Sequence, residues 1–342
     1  MNNNLNKSVL DKILNCIPEN IKPVNYLMDI LDLGKESAYR RLRGEKALSL
    51  EEIHKLSVEL SFSLDEILGN KNTNTFTFNY IGSSDKNPDN NFLEFLLFYE
   101  NYLKNILNAE NTEVINTINN MLSTMFVGFD ELFKFVYYHW MHQMKEVPLN
   151  YHYSNLVIPP QIKDICKNIN NLHKNLKKVT MIIDKNIHLN LIKEIQYFYI
   201  RGLIDESELI RLKEQYLRYM DFTEKIITKG TDPNGSSYDI YLSMLGISSS
   251  TSYISWEDNE ESAFWHNVCY PMHTRNRNII DRHKHWIDSL KKYSTLITQS
   301  NELQQADFFN EQKNYVNNMA DRVIPTYAIH LSNNEMQGVM EY

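Results

Sequence analysis

The chain is poor in the residues on which several protein classes depend. It contains 3 cysteines and 10 glycines among 342 residues. Cys16, Cys166 and Cys269 are far apart, and no two of them have the spacing of a metal site. We therefore expect buried free thiols in a reducing cytosol rather than a disulfide framework. The glycines form neither G-x-x-x-x-G-K nor G-x-G-x-x-G, which argues against a cradle for nucleotide phosphates.

Long apolar runs are also missing. The most apolar segments, such as FLEFLLFYENYL, meet charged residues well before the roughly 18 residues that a membrane span needs. The first residues, MNNNLNKSVLDKIL, have no long apolar core and no small-residue cleavage site, so we expect no signal peptide. These features favour a cytoplasmic protein without a membrane partner.

The composition is otherwise that of a folded protein, with 42% hydrophobic and 23% charged residues. The length allows one small domain and one large domain. A formal net charge of −8 argues against a protein that coats nucleic acid indiscriminately. The same net charge is compatible with a sequence-specific DNA-binding protein, because the electrostatic field at the binding surface determines that interaction.

The segment Tyr26–Leu68 carries the clearest pattern, a set of short amphipathic helices around one short basic helix. We expect helices over Ser8–Cys16, Pro23–Leu31 and Lys35–Arg43, a fourth that follows Ser49 and a fifth that begins at Ser63. Gly34 is expected in a tight turn, and Gly44 should end the basic helix as a left-handed cap. Ser49 and Glu52 have the spacing of a capping box.

The basic helix has the side chains that a DNA reader needs. Between Lys35 and Lys46 the chain has five basic and two acidic residues, a local balance of about +3. Ala38 and Leu42 should face the helical bundle and leave the polar side chains outside. Arg40 suits a bidentate contact to guanine in the major groove.

The neighbouring polar residues suit the bases and phosphates on either side. Ser37 could reach a base or a phosphate, and the Tyr39 hydroxyl suits a phosphate. Arg43 and Lys46 should hold the DNA backbone. Glu36 could accept from a cytosine amino group or pair with Arg40.

These motifs together resemble a known family. An apolar helix ending in LDL, then ESAYRRLRGE, then LSLEEIHKLSVELSFSLDEIL make residues 8–68 similar to the λ-repressor-type (Xre-like) helix-turn-helix family. The resemblance implies a five-helix domain that binds double-stranded DNA. The groove-facing positions that it implies are Lys35, Glu36, Ser37, Tyr39 and Arg40, with Arg43 just before the terminating glycine.

Two residues depart from the family pattern. Gly34 stands where the family usually has a serine or threonine at the N-cap of the recognition helix. Arg41 stands where the family usually has an aliphatic residue, and we expect it along the bundle edge with its charged head in solvent.

The rest of the chain predicts a larger helical domain, similar in architecture to long regulators that carry such a module. We expect a helix-turn-helix domain over residues 1–70, a linker over 71–91, a helical regulatory or oligomerisation domain over 92–325 and a tail over 326–342. Helices are expected over Phe92–Leu107, Thr112–Leu122, Phe129–Lys145, Gln161–Leu176, Ile187–Arg201, Ser207–Lys229, Ile279–Thr298 and Glu302–Ala320. A small sheet or hairpin is expected between Tyr238 and Met272. The predicted fold class is therefore mostly α.

Three histidine groups in this larger domain are candidates for metal or catalytic sites. His139 and His142 share a helix face, but their aromatic surroundings favour packed histidines over zinc ligands. The segment WHNVCYPMH places His266, Cys269 and His273 near one another, without an orienting acid for a thiol nucleophile. The pair in DRHKHW, His283 and His285, is expected to be exposed. We therefore expect no metal, no cofactor and no catalysis.

The functional hypothesis is a sequence-specific transcription regulator whose helix at about 35–43 lies in the major groove. The C-terminal domain would dimerise the DNA reader, sense an unknown small-molecule or protein effector, or do both. Two alternatives stay open. One is a protein-interaction adaptor, and the other is an enzyme domain that the N-terminal module localises.

Overall fold

The computed structural model describes residues 2–17, 21–60, 62, 64, 67, 78–80, 88–109, 111–144, 147–257, 259–267 and 269–321. The chain divides into two compact units, Met1–Phe78 and Asn79–Tyr342. Most of the expected fifth helix, the polar segment 70–77 and the expected tail lie outside the described residues.

The N-terminal unit is a helical bundle. Its described helices are α1 (Asn2–Cys16), α2 (Pro23–Leu31), α3 (Lys35–Leu42) and α4 (Leu50–Glu59). Helix α1 begins six residues earlier than expected, whereas the expected bounds of α2 are confirmed. The side chains of Ile13, Leu27, Ala38 and Leu56 are fully buried, one from each helix, and form the centre of the core.

Local cap chemistry sets the ends of these helices. The capping box at α4 is confirmed, since the Glu52 amide donates to Ser49 Oγ over 3.2 Å and the Ser49 amide donates to Glu52 Oε2 over 2.9 Å. Gly44 has a φ of 71°, as expected after a basic helix. The left-handed residue of the α2–α3 turn is Asp32, with a φ of 51°, whereas Gly34 is an extended N-cap residue with a φ of −66°.

Among its described residues, the C-terminal unit contains an eight-stranded mixed sheet, so the predicted mostly-α fold class is wrong and the chain is an α/β protein. The strands are β1 (Asn79–Tyr80), β2 (Thr112–Ile118), β3 (Lys178–Asp184), β4 (Ser237–Ser243), β5 (Thr251–Trp256), β6 (Asn259–Trp265), β7 (Pro271–Thr274) and β8 (Ser294–Leu296). Their order in the sheet is β1-β7-β6-β5-β2-β3-β4-β8. The small β element expected between Tyr238 and Met272 is one half of this larger sheet.

The helices of this unit lie between and after the strands. They are α5 (Pro88–Asn108), α6 (Asp130–Met144), α7 (Pro160–His173), α8 (Leu189–Ile200), α9 (Glu206–Lys229), α10 (Arg277–Lys292) and α11 (Glu302–Asn317). Helices α6 and α7 connect β2 to its parallel neighbour β3, and α8 and α9 connect β3 to its parallel neighbour β4. Strands β5, β6 and β7 form an antiparallel meander beside β2.

Of the predicted helices, one is a strand and another extends too far. The segment expected as a helix at Thr112–Leu122 is the central strand β2, whose β-branched residues suit a sheet with a strand on each side. The segment expected as a helix at Ile279–Thr298 contains α10, which ends at Lys292, and then β8, which pairs with β4.

The sheet separates two hydrophobic layers. On one face the strand residues Ile118, Ile183 and Ile240 join a large core built from α5 to α9 and α11. On the other face α10 packs Ile280 and its neighbours against the sheet. Within the described residues, no helix is both long enough and apolar enough to cross a membrane.

Candidate functional site

Helix α3 presents the predicted DNA-contacting side chains to solvent. All seven are exposed, namely Lys35, Glu36, Ser37, Tyr39, Arg40, Arg43 and Lys46. Ala38 on the opposite face is fully buried, and Leu42 is half-buried against the core of the bundle. The structure therefore brings the predicted residues together on one helix and on the turn that follows it.

Exposed ion pairs link the charges on this surface. Arg43 lies 3.4 Å from Glu36 and 3.4 Å from Glu45, and Arg40 lies 3.9 Å from Glu45. The Arg43 guanidinium also lies over the Tyr39 ring, 6.0 Å from its centre. Glu36 thus pairs with Arg43 rather than with Arg40, the partner considered from the sequence. Exposed pairs of this kind contribute little to stability, so they can open when a phosphate approaches.

Arg41 is not in solvent, and this sequence expectation is wrong. Its side chain is only 5% exposed. It donates two hydrogen bonds to the carboxylate of Glu52, one from Nη2 to Oε1 and one from Nε to Oε2 over 2.9 Å. A third bond of 3.1 Å runs from Arg41 Nη1 to the carbonyl oxygen of Ser37. A planar guanidinium can form this fork with a carboxylate where a shorter or aliphatic side chain cannot.

Glu52 has two structural roles, because the Oε2 atom that binds Arg41 also accepts from the Ser49 amide at the start of α4. The hydrogen bond from Arg41 is the main reason that the pKa of Glu52 is below its ordinary value. One carboxylate thereby joins the end of α3 to the beginning of α4. The pair also removes the Arg41 charge from the outer surface, so the local balance there is about +2 rather than about +3.

The histidines of the C-terminal unit do not converge on one centre. His139 is buried, with Nδ1 3.4 Å from Glu194 Oε2, whereas His142 bonds to the Tyr138 carbonyl over 2.9 Å. Burial lowers the pKa of His139 to about 4 and raises that of Glu194 to about 7. Across the described ranges, no group of three or more histidine, cysteine or acidic side chains is arranged to hold a metal ion.

The cluster in WHNVCYPMH separates in a similar way. The His266 ring packs 5.5 Å from the Tyr80 ring, and His273 Nδ1 lies 3.2 Å from Glu261 Oε1. Cys269 is fully buried, and this burial raises the pKa of its thiol. A thiol kept protonated in this way is a poor nucleophile.

The expected exposure of His283 is wrong, whereas His285 is exposed as expected. His283 lies between α10 and the sheet, where Nδ1 is 2.8 Å from Ser262 Oγ and Nε2 is 2.7 Å from Thr251 Oγ1. Both ring nitrogens thus have hydroxyl partners on neighbouring strands. This is a structural histidine that holds a helix to a sheet.

A cavity of about 590 Å³ lies in the C-terminal unit, on the face of the sheet opposite α10. It is bounded by that face and by helices α5, α7, α9 and α11. An effector for this domain was one expectation from the sequence, but the cavity itself was not predicted. In α5, Phe95, Phe98, Tyr99 and Tyr102 recur at the spacing of a single apolar stripe, so their pattern does not distinguish a cavity wall from a packed core.

A smaller and more polar cleft of about 330 Å³ lies beside the large cavity. Amide and hydroxyl side chains dominate its lining, which also includes His139, Glu194 and His266. Met121, Leu122 and Trp265 contribute to the walls of both spaces.

Comparisons of the chain with protein-family models, with curated proteins and with solved structures found no match.

Proposed function

We propose that this protein is a sequence-specific, DNA-binding transcription regulator whose helix α3 enters the major groove. The observation that carries the proposal is the two-sided character of α3. One side is anchored by Ala38 and by the Arg41–Glu52 pair, and the rest of the helix presents five of the predicted polar side chains to solvent, with two more on the turn that follows. A rigidly held helix with polar residues outward is what direct reading of base edges requires.

The start of α3 suits a phosphate as well. Gly34 is the N-cap residue and offers no side chain to bond the first amides of the helix. Those amides can therefore donate to a DNA phosphate, to which the positive end of the helix dipole adds its attraction. Lys35 lies at the same end and Lys46 at the other, so both could contact the DNA backbone.

We also propose that two copies act together on DNA. One N-terminal unit covers about half of an operator, and linking two units raises affinity through effective concentration. The C-terminal unit would supply the dimer contact, the effector response or both. The partners are then double-stranded DNA, a second copy of the chain and an effector, in the cytoplasm, with no reaction catalysed.

The proposal is tested by selecting bound fragments from the source genome at two salt concentrations, with the full chain and an Arg40→Ala variant. Wild type should select a symmetric site, and its affinity should fall steeply with salt. Loss of Arg40 should weaken specific binding by about 1–3 kcal/mol and relax the preference at one base pair.

Arg282→Ala is the matched control, because Arg282 is an exposed arginine of the C-terminal unit. It should bind DNA as wild type does. If Arg40→Ala combined with Arg43→Ala leaves all nucleic-acid binding unchanged, the proposal fails and the adaptor hypothesis takes its place.

A further inference from the structure

The large cavity interrupts the core at the middle of the sheet. Val114, Asn116 and Ile118 alternate along the central strand β2 and all line it. Val114 and Asn116 are only half-buried although they lie on the helix-covered face, as is Met181 on the adjacent strand. Such incomplete burial at the centre of a sheet means that an open space, and not a packed helix, faces these residues.

The size of the cavity suits a small organic ligand. Its volume of about 590 Å³ falls inside the range of roughly 300–1,000 Å³ typical of ligand pockets. Native interiors are otherwise packed with few voids larger than one water molecule. A space of this size lined by carbon is therefore a binding site by default.

Several polar groups in the wall already bond to the protein. Tyr99 OH lies 2.9 Å from His173 Nε2, and Ser252 Oγ donates to Asn116 Oδ1 over 2.7 Å. Thr223 donates to backbone carbonyls of its own helix. A ligand therefore meets mainly aromatic and aliphatic surface.

Two charged side chains of the wall, Lys174 and Asp232, already have hydrogen-bond partners. Lys174 is exposed, and its ammonium donates to Asn171 Oδ1 over 3.2 Å. Asp232 Oδ1 accepts from the backbone amides of Asn234 and Ser236.

The other ionisable groups of the wall leave little charge to pair with an ionic ligand. The Glu261 carboxylate is buried, and burial alone would raise its pKa, but His273 and Arg275 outweigh that effect and keep the pKa below its ordinary value. Its charge is thus balanced by the Arg275 guanidinium at 2.9 Å. Burial lowers the pKa of His173 to about 4 and that of His188 to about 3, so both imidazoles are neutral near pH 7.

We propose that this cavity binds an uncharged, lipophilic small molecule, one per chain. A charged group would lose its hydration without gaining a counter-charge from the wall, whereas an apolar body gains by leaving water. The inference deepens the effector-sensing half of the proposed function by naming a ligand class. It does not depend on DNA contact, so either can fail alone.

The test is a fluorescence titration of the full chain, without DNA, with the neutral naphthalene probe 6-propionyl-2-(dimethylamino)naphthalene. Ala263 on β6 and Val114 on β2 both face the cavity, so Ala263→Phe and Val114→Phe place a ring inside it. Each variant should weaken probe binding at least tenfold. Met244→Phe adds a ring at an exposed site, where Met244 is 59% exposed, and should bind the probe as wild type does.

Ligand class is tested by displacing the probe with three molecules of one chain length, namely decan-1-ol, decanoate and decylammonium. Decan-1-ol should displace it at concentrations at least tenfold lower than either ion. The proposal is overturned if a charged competitor is equal or better, or if both filled variants bind the probe like wild type. It is also overturned if neither filled variant folds by circular dichroism, because the space would then not be available to a ring.

Discussion

Replacing Arg41 by alanine should weaken the attachment of α3 to α4 and leave Glu52 without its main partner. Breaking a fully buried ion pair from one side costs about 3–5 kcal/mol. The Glu52 side chain keeps 18% of its surface exposed and keeps its bond to the Ser49 amide, which lessens the penalty. We therefore expect the local unfolding free energy of the N-terminal unit to fall by about 2–3 kcal/mol.

Native-state hydrogen exchange of the full chain measures this loss where it occurs. A change of about 2–3 kcal/mol corresponds to roughly 30- to 150-fold faster exchange for the protected amides of α3 and α4. Arg40→Ala is the matched control, because Arg40 is the adjacent arginine and its ion pair with Glu45, at 3.9 Å, is exposed. It should change exchange by less than about 0.5 kcal/mol. If Arg41→Ala accelerates exchange no more than Arg40→Ala does, the structural role assigned to the pair is refuted.

The pH dependence gives a second check on the same pair. The pKa of Glu52 is lower in the folded state, so its contribution to stability is complete above the unfolded pKa, about 4.3. That contribution is lost as the pH falls through the folded value. The stability difference between wild type and Arg41→Ala should therefore be constant near pH 7 and should shrink below about pH 4.

Three further outcomes are expected. Gly34→Ser should raise the free energy of unfolding of the N-terminal unit by about 0.5–1 kcal/mol, because φ at this N-cap is −66° and no atom lies within 4 Å of the new Cβ. Gly44→Ala should instead lower it by about 1–2 kcal/mol, because Gly44 has a φ of 71°. In the C-terminal unit the folded pKa of Glu194 is raised to about 7, so ionisation of this carboxyl reduces stability as the pH rises from its unfolded pKa through 7. Glu194→Gln should therefore be more stable than wild type at pH 7.5 but not at pH 4, as urea denaturation at the two pH values would measure.

The local rules of helix ends explain why the N-terminal unit was largely predictable. The proline at the start of α2, the serine–glutamate capping box of α4 and the left-handed Gly44 each act within a few residues. The positions of these helix ends can therefore be predicted from the sequence without knowing which elements pack against the helices. Ala38 and Leu42 likewise indicated the inward side of α3, and the exposed side followed from them.

The sheet of the C-terminal unit was missed because its strands depend on partners far away in the chain. Strand β2 pairs with β5, about 140 residues later, and with β3, about 65 residues later. Strand β3, KVTMIID, is buried on both faces, so it lacks the alternation of polar and apolar residues that reveals a half-exposed strand. A short apolar run of this kind cannot be told from a buried helical segment by periodicity alone.

The sequence alone determined where the basic helix lies, how α2 and α4 begin, and that Ala38 and Leu42 face the bundle, because caps and helical periodicity act over a few residues. Tertiary structure alone decided that Arg41 is buried against Glu52, that His283 joins a helix to the sheet, and that a large space remains beneath α5. Each of these depends on side chains from separate elements meeting in space. Burial then reverses the preference of a charged or polar group, so that a residue expected in water becomes part of the interior.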